Sequence, residues 1–365
     1  MKLGIIGLPN SGKTTLFNAL TGQSVEAPVY PAQIGEEPHV GVIRVPDARI
    51  DRLSGIFEPK KTTYADVTCV DITGFARGIS GNRQKSQVMN ELWDVDAVIH
   101  IVRAFGDQSV VHPDGHVDPA ADAAALELEL VFSDLELVET RLERIANSMK
   151  KGVGGGLEGE QAVLKKCRLL LEDEQPLRNL QLEGEEQALI GSLQFASIKP
   201  QLVVLNVDED EIGSPKTTKI ISDLNDFYQG KQSLVFPLSA RIEMELSQLP
   251  AEEAGDFLAD LGIEEPAMNR VIHEAYRLLG LISFLTAGAD EVRAWTIRED
   301  TPAVRAAGKI HSDIERGFIR AEVISYDDFI AAGAMARAKE LGTLRLEGKE
   351  YRVQDGDIIN FRFNV

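Results

Sequence analysis

At 365 residues the chain is too long for one ordinary domain, so two or three packed units are expected. Apolar residues make up 44% and charged residues 26%, the balance of a soluble globular protein, and no apolar run approaches the ~18 residues a membrane span needs. With 58 acidic against 38 basic side chains the net charge is −20, which disfavours polyanion binding by the surface as a whole. Only the stretch from Leu281 onward, with 12 Lys/Arg and 14 Asp/Glu, is near neutral and could present a basic face. The first residues do not form a signal peptide, and two cysteines, Cys69 and Cys167, suit a reducing compartment, so a cytoplasmic location is expected.

Taken in chain order, Lys2–Ile6 reads as a short buried strand running into a Gly-rich turn, then a helix from about Lys13 to Leu20 that Gly22 stops. Val40–Val45 partly alternates, as an edge strand would. Val67–Ile72, Ala97–Val102, Leu202–Val207 and, more weakly, Leu234–Leu238 are β-rich apolar runs separated by helical patterns. This alternation predicts a mainly parallel sheet with helices on its faces. Between the third and fourth of these runs, Asp118-Pro119 starts a helix whose Leu128, Val131, Leu135, Val138, Leu142, Ile145 and Met149 recur at steps of three and four. A shorter pattern (Leu164, Cys167, Leu171) returns after the Gly-rich stretch 152–156. Two readings stand: a helical hairpin packed on the core, or an arm that touches a partner. Beyond Gly280 the pattern changes to short strands and turns, with Asp355-Gly356 marking a hairpin between Tyr351–Gln354 and Asp357–Phe363.

The chemistry starts at Gly7-Leu8-Pro9-Asn10-Ser11-Gly12-Lys13-Thr14, a complete G-x-x-x-x-G-K-[ST] loop between a strand and a helix. The glycines let the backbone approach phosphates, and the helix N-terminus adds its positive end. Asn10, Ser11, Gly12, Lys13, Thr14 and Thr15 are therefore candidate nucleotide-binding residues, with Lys13 the candidate catalytic cation and the Thr14 hydroxyl a candidate Mg²⁺ ligand. Asp71-Ile72-Thr73-Gly74 gives the D-x-x-G of nucleotide switches, with Asp71 toward the metal and the Gly74 N–H toward the γ-phosphate. Asn206-Val207-Asp208-Glu209 stands where GTP-binding switches carry N-K-x-D, and Ser239-Ala240 resembles the loop that lines the base. Glu209 replaces the aspartate that reads guanine, and Val207 lacks the lysine stem that lies over the base. Both changes move the expected base from guanine toward adenine.

These segments resemble the YchF / Obg-like ATPase branch of the Obg-type GTPases. The resemblance runs through Glu37–Gly41, Val45–Asp47, Asp94–Ala97 and Val102–Phe105. It is most specific at Phe284–Gly288, Arg293–Thr296, Gly317–Ile324 and Phe361–Val365. It implies an α/β P-loop G domain (1–117 and 197–280), an inserted antiparallel coiled-coil helical domain (118–196) and a C-terminal β-grasp, ubiquitin-like TGS domain (281–365). It further implies slow, Mg²⁺-dependent hydrolysis of ATP with GTP weaker. Ribosome or large-subunit association, and RNA contact through the TGS domain and helical arm, are also implied, with no membrane partner.

The chain departs from the family pattern at Gly35, which falls opposite the expected switch I threonine, and in the short segment Gly78–Arg83. Phe75 takes the place of the water-orienting Gln of Ras-like switches, so slow or partner-dependent turnover is expected. Gln33, His39 and Arg77 are the nearby polar substitutes, although solvated loop residues are the simpler reading for each. The alternatives are an Obg-type GTPase and a nucleotide-bound binding module with incidental hydrolysis.

Overall fold

The computed structural model describes residues 1–25, 38–72, 82–152, 156–228, 233–260, 263 and 265–364. Twelve strands lie among the described residues: β1 Lys2–Gly7, β2 His39–Arg44, β3 Lys61–Thr63, β4 Asp66–Asp71, β5 Ala97–Arg103 and β6 Gln201–Asn206, followed by β7 Ser233–Leu238, β8 Leu281–Ala287, β9 Glu291–Arg298, β10 Phe318–Ser325, β11 Arg345–Glu347 and β12 Asp357–Phe363. The chain divides into two compact units, Met1–Val42 with Thr68–Val271, and Ile43–Val67 with Ile272–Val365.

The first unit is built on a sheet of order β2-β4-β1-β5-β6-β7. β1 runs parallel to both β4 and β5, and β5, β6 and β7 continue in parallel. Every residue of β5 and β6 is buried, as expected of central parallel strands covered on both faces. β2, in contrast, alternates and leaves Val40 and Val42 exposed at the sheet edge. One sheet face packs Ile6, Val70 and Val98 against Leu126 and Leu130 of the long helix Pro119–Lys150.

That helix begins as its sequence dictates. The Asp118 carboxylate accepts the Ala121 N–H and Pro119 fills the first turn. Farther along, Val131, Val138 and Ile145 are buried with Val163, Leu164, Cys167 and Leu171 of the helix Glu158–Glu172. The apolar repeat read from the sequence is thus a helix–helix seam, and an Arg141–Glu160 ion pair flanks it. The hairpin is tied to the rest of its unit by buried polar groups. Asp134 accepts from the N–H of Ala196 (2.9 Å), the N–H of Ser197 (2.7 Å) and the Ser197 hydroxyl (2.6 Å). Burial raises its pKa to about 6 despite these donors. Arg178, buried, pairs with Glu127 and with Gln201 at the start of β6. Gln201 in turn meets His100 of β5, whose burial lowers its pKa to about 3.

The second unit has a sheet of order β11-β10-β12-β8-β9-β3. β8 and β9 are antiparallel, β10 and β12 are antiparallel, and β12 joins β8 in parallel at the centre. The helix Ala303–Ile310 between β9 and β10 buries Ala303, Ala306 and Ala307 against Phe284, Ile297 and Phe361. This is the strand order and helix placement of a β-grasp.

Two features of this unit differ from the sequence reading. Ile43–Val67, which the sequence places in the first part of the G domain, clusters with the C-terminal residues instead. Its β3 pairs in parallel with β9 (Lys61 opposite Glu291), and Arg49 of the helix Ala48–Phe57 holds both Asp47 and Asp355. The expected hairpin at Asp355-Gly356 is also absent. Tyr351–Val353 bonds instead to Thr301 and Ala303, while β12 pairs with β10 and β8. Asp355 accepts from the Ser283 N–H of β8 and from Arg49, so partners distant in sequence hold the turn. Gly356 still needs its left-handed backbone (φ 81°), and a Cβ there would lie 2.7 Å from Arg49 Nη1.

Candidate nucleotide-binding site

The loop Gly7–Lys13 leaves the C-terminal end of β1 and delivers the chain into the helix Lys13–Thr21. β5, β6 and β7 end on the same edge because all run parallel, so Arg103, Asn206 and Ser239 arrive beside it. Ligands of open α/β sheets bind at this edge.

Lys13 folds back so that its ammonium donates to the carbonyls of Gly7 (3.0 Å) and Leu8 (2.9 Å). Burial lowers its pKa to about 8, and the nearby Asp71 carboxylate works in the opposite direction. An ammonium whose partners are two neutral carbonyls can exchange them for anionic oxygens. The Thr14 hydroxyl donates to Asp71 Oδ2 at 3.0 Å, and both side chains are buried. Burial raises the Asp71 pKa, with Lys13 and the Thr14 hydroxyl opposing. Asp71 Oδ1 and Ser11 Oγ are buried with no hydrogen-bond partner among the described residues. The free Asp71 oxygen and the Thr14 hydroxyl fit a hard divalent cation, and the Lys13 ammonium beside them fits a phosphate.

Asn206 organises the opposite wall. Its side chain, 5% exposed, donates from Nδ2 to the Ser11 carbonyl and accepts the Ala240 N–H at Oδ1, each at 3.0 Å. The phosphate loop and the loop after β7 are thereby tied through one amide. Gly12 makes this possible, with φ 99° and a site where a Cβ would stand 2.3 Å from Asn206 Nδ2. Ser239 stands at the N-cap position of the helix Ala240–Gln248, and Ser239 and Ala240 are buried beside this contact. Val207, 3% exposed, packs into the core with Val102, Val203 and Leu224, and its N–H donates to the Leu238 carbonyl at 2.9 Å. Glu209 is exposed beyond it.

Residues 2–129 match the family model described as 50S ribosome-binding GTPase. Residues 281–364 match the model named YchF-GTPase_C, described as a protein of unknown function. The chain is 43% identical over 364 residues to the ribosome-binding ATPase YchF of Bacillus subtilis, covering 99% of both proteins. It is 42% identical to the ribosome-binding ATPase YchF of Escherichia coli O157:H7 over 100% of this chain and 99% of that protein. The chain belongs to the YchF family. Among solved structures, the Schizosaccharomyces pombe YchF GTPase superimposes with a TM-score of 0.84 at 32% identity, covering 99% of this chain and 97% of that one.

Of the site residues expected from sequence, this YchF-family chain brings Ser11, Gly12, Lys13, Thr14, Asp71, Asn206, Ser239 and Ala240 together. Thr15 lies one residue farther into the helix, and Asn10 turns its amide to the Val111 carbonyl at 2.9 Å. Gln33, Gly35, Gly74, Phe75 and Arg77 lie outside the described residues. His39 is half-buried with its ring against Phe17. The sequence reading missed the loop after β5. Arg103 there donates to three carbonyls, Asp208 accepts the Gly106 N–H, and buried His112 bonds Asp122 in the first turn of the long helix. One signal was available, an arginine closing Ala97–Val102, a run apolar but for His100. An arginine 3% exposed must have carbonyl or carboxylate partners close by.

Proposed function

We propose that the protein is a cytoplasmic, slowly hydrolysing P-loop ATPase that associates with the ribosome or its large subunit. The convergence of Lys13, Thr14 and the half-satisfied Asp71 at one buried recess carries this reading, and the ATPase name of relatives above 40% identity supports it. Asn10, Ser11, Gly12, Thr15 and the Gly74 N–H serve the phosphates, with Lys13 placing positive charge where charge develops on transfer. Thr14 and Asp71 hold Mg²⁺. When bound, the ion neutralises phosphate charge. Asn206, the backbone of Val207, Ser239 and Ala240 shape the base end. Glu209, one methylene longer than the aspartate that reads guanine, favours adenine.

Residues 1–42, 68–117 and 197–280 form the G domain in this reading and 118–196 the helical insertion. Residues 281–365 form a TGS domain completed by 43–67, and this domain and the helical arm are the surfaces for ribosome or RNA. Calorimetric titration with ATP and GTP in the presence of Mg²⁺ tests the assignment, with ATP binding more tightly and Lys13→Ala abolishing hydrolysis. Equal affinities would sink the base argument. A second reading, a GTPase, is favoured by the name of the Schizosaccharomyces pombe relative. It requires GTP to bind more tightly, and Glu209→Asp to strengthen it further. Single-turnover hydrolysis with and without ribosomes separates both from a nucleotide-bound binding module, for which neither condition turns over.

A further inference from the structure

We propose that Arg103 and Asp208 are positioning residues for the nucleotide, holding the loop 104–111 in one shape as a side wall of the site; this rests on the nucleotide-binding reading above. Gly106, Asp107, Gln108 and Ser109 at the loop tip are exposed, so core packing does not fix them. Three polar attachments do.

The first is Arg103 itself, 3% exposed at the end of β5. Its Nε donates to the Phe105 carbonyl (3.3 Å), and Nη2 donates to those of Asp107 (3.0 Å) and Val110 (2.9 Å). The guanidinium also lies 4.2 Å from the centre of the Phe105 ring. One planar cation thus gathers carbonyls from both arms of the loop, which needs the fixed fork of arginine and not merely positive charge. The second attachment is Asp208 Oδ2, which accepts the Gly106 N–H at 2.9 Å. Asp208 lies two residues beyond Asn206, and the Asn206 carbonyl accepts the Ala104 N–H at 2.8 Å. The third is Asn10 of the phosphate loop, whose Nδ2 donates to the Val111 carbonyl at 2.9 Å.

The loop is therefore bonded to the phosphate-binding segment at one end and to the base-binding segment at the other. Arg103 bonds only carbonyls of its own loop and so sets the shape of the loop. The bonds that carry this shape to the site are those to Asn10, to Asp208 and to the Asn206 carbonyl. Order in the free protein lowers the entropy lost on binding, so these contacts act on nucleotide affinity and not on the chemical step.

The test uses the full chain, comparing Asp208→Ala, Asp208→Asn and Arg103→Lys for equilibrium ATP binding, steady-state hydrolysis and urea unfolding. Asp208→Ala is expected to raise Kd and KM about tenfold, with kcat changed less than about twofold and the unfolding midpoint unmoved. Asp208→Asn keeps an acceptor for the Gly106 N–H and should stay within about twofold of the parent. Arg103→Lys should raise KM with its charge intact, and adding Asp208→Ala should weaken binding by less than the product of the two single effects. ATP binding by Asp208→Ala equal to that of the parent overturns the proposal, as does equal weakening by Asp208→Asn and Asp208→Ala. Failure of the unaltered chain to bind any nucleotide overturns the nucleotide-binding reading instead.

Discussion

Replacing Asn206 by aspartate changes one donor into an acceptor and leaves the shape almost untouched. The native amide sends its Nδ2 proton to the Ser11 carbonyl and takes the Ala240 N–H at Oδ1, with 5% of the residue exposed. In Asn206→Asp the Ala240 bond survives, but the second carboxylate oxygen faces the Ser11 carbonyl with no proton between them. In Asn206→Ala both bonds are lost, and two backbone groups lose their partner at about 1–3 kcal/mol each. Incomplete relaxation and partial water entry bring the expected loss for alanine to about 2–4 kcal/mol. The aspartate should be no better, because a buried repulsion and a buried charge replace the lost donor. Urea unfolding of the nucleotide-free protein measures these losses, and ATP titration reads the same perturbation as at least about a tenfold fall in affinity. If Asn206→Asp stays within about 0.5 kcal/mol of the parent and binds ATP normally, the directional clamp is wrong and Asn206 merely fills space.

Gly12→Ala should cost about 1–3 kcal/mol from its positive φ alone, and more from the collision with Asn206 Nδ2. In the Asn206→Ala background the collision disappears, so the double mutant should be more stable than the sum of the singles, as measured by the same unfolding series. His100 is held neutral by burial at a pKa of about 3, below its ordinary 6.5. The unfolded chain therefore binds more protons between these values, and stability is fully present above pH 6.5 and lost as pH falls toward 3. His100→Asn should flatten the acid limb by about 1.4 kcal/mol per pH unit below 6.5, read by urea midpoints from pH 7 to 5. Arg49→Ala removes a paired contact to Asp47 and a bond to Asp355, and should destabilise the second unit by about 1–2 kcal/mol; hydrogen exchange at β8 and β12 checks it.

The parallel sheet was legible because buried parallel strands are continuous apolar runs, and β5 and β6 are of that kind. The long helix was legible because capping and a three–four repeat are local signals. Lys13, Thr14 and Asp71 could be paired from motif and context. What stayed hidden was long-range. Nothing local in Lys61–Thr63 says that these residues join β9, and a turn-forming Asp355-Gly356 pair does not reveal that Arg49 and Ser283 will claim its carboxylate. The loop after β5 left Arg103 as its one signal for a related reason: its order comes from that buried arginine and two side chains far away in sequence. Hydrogen bonds of that kind leave no periodicity behind.

The membership of Ile43–Val67 in the second unit also has a consequence during synthesis. Lys60 and Asp290, which flank the β3–β9 pairing, are 230 positions apart. At about 5–20 residues per second, the early segment emerges roughly 10–50 s before the strand it will pair with. Through that interval the exposed edge of β3 and the apolar face of the helix Ala48–Phe57 have no sheet to join, so a nascent chain arrested before β9 should be the form that chaperones hold longest.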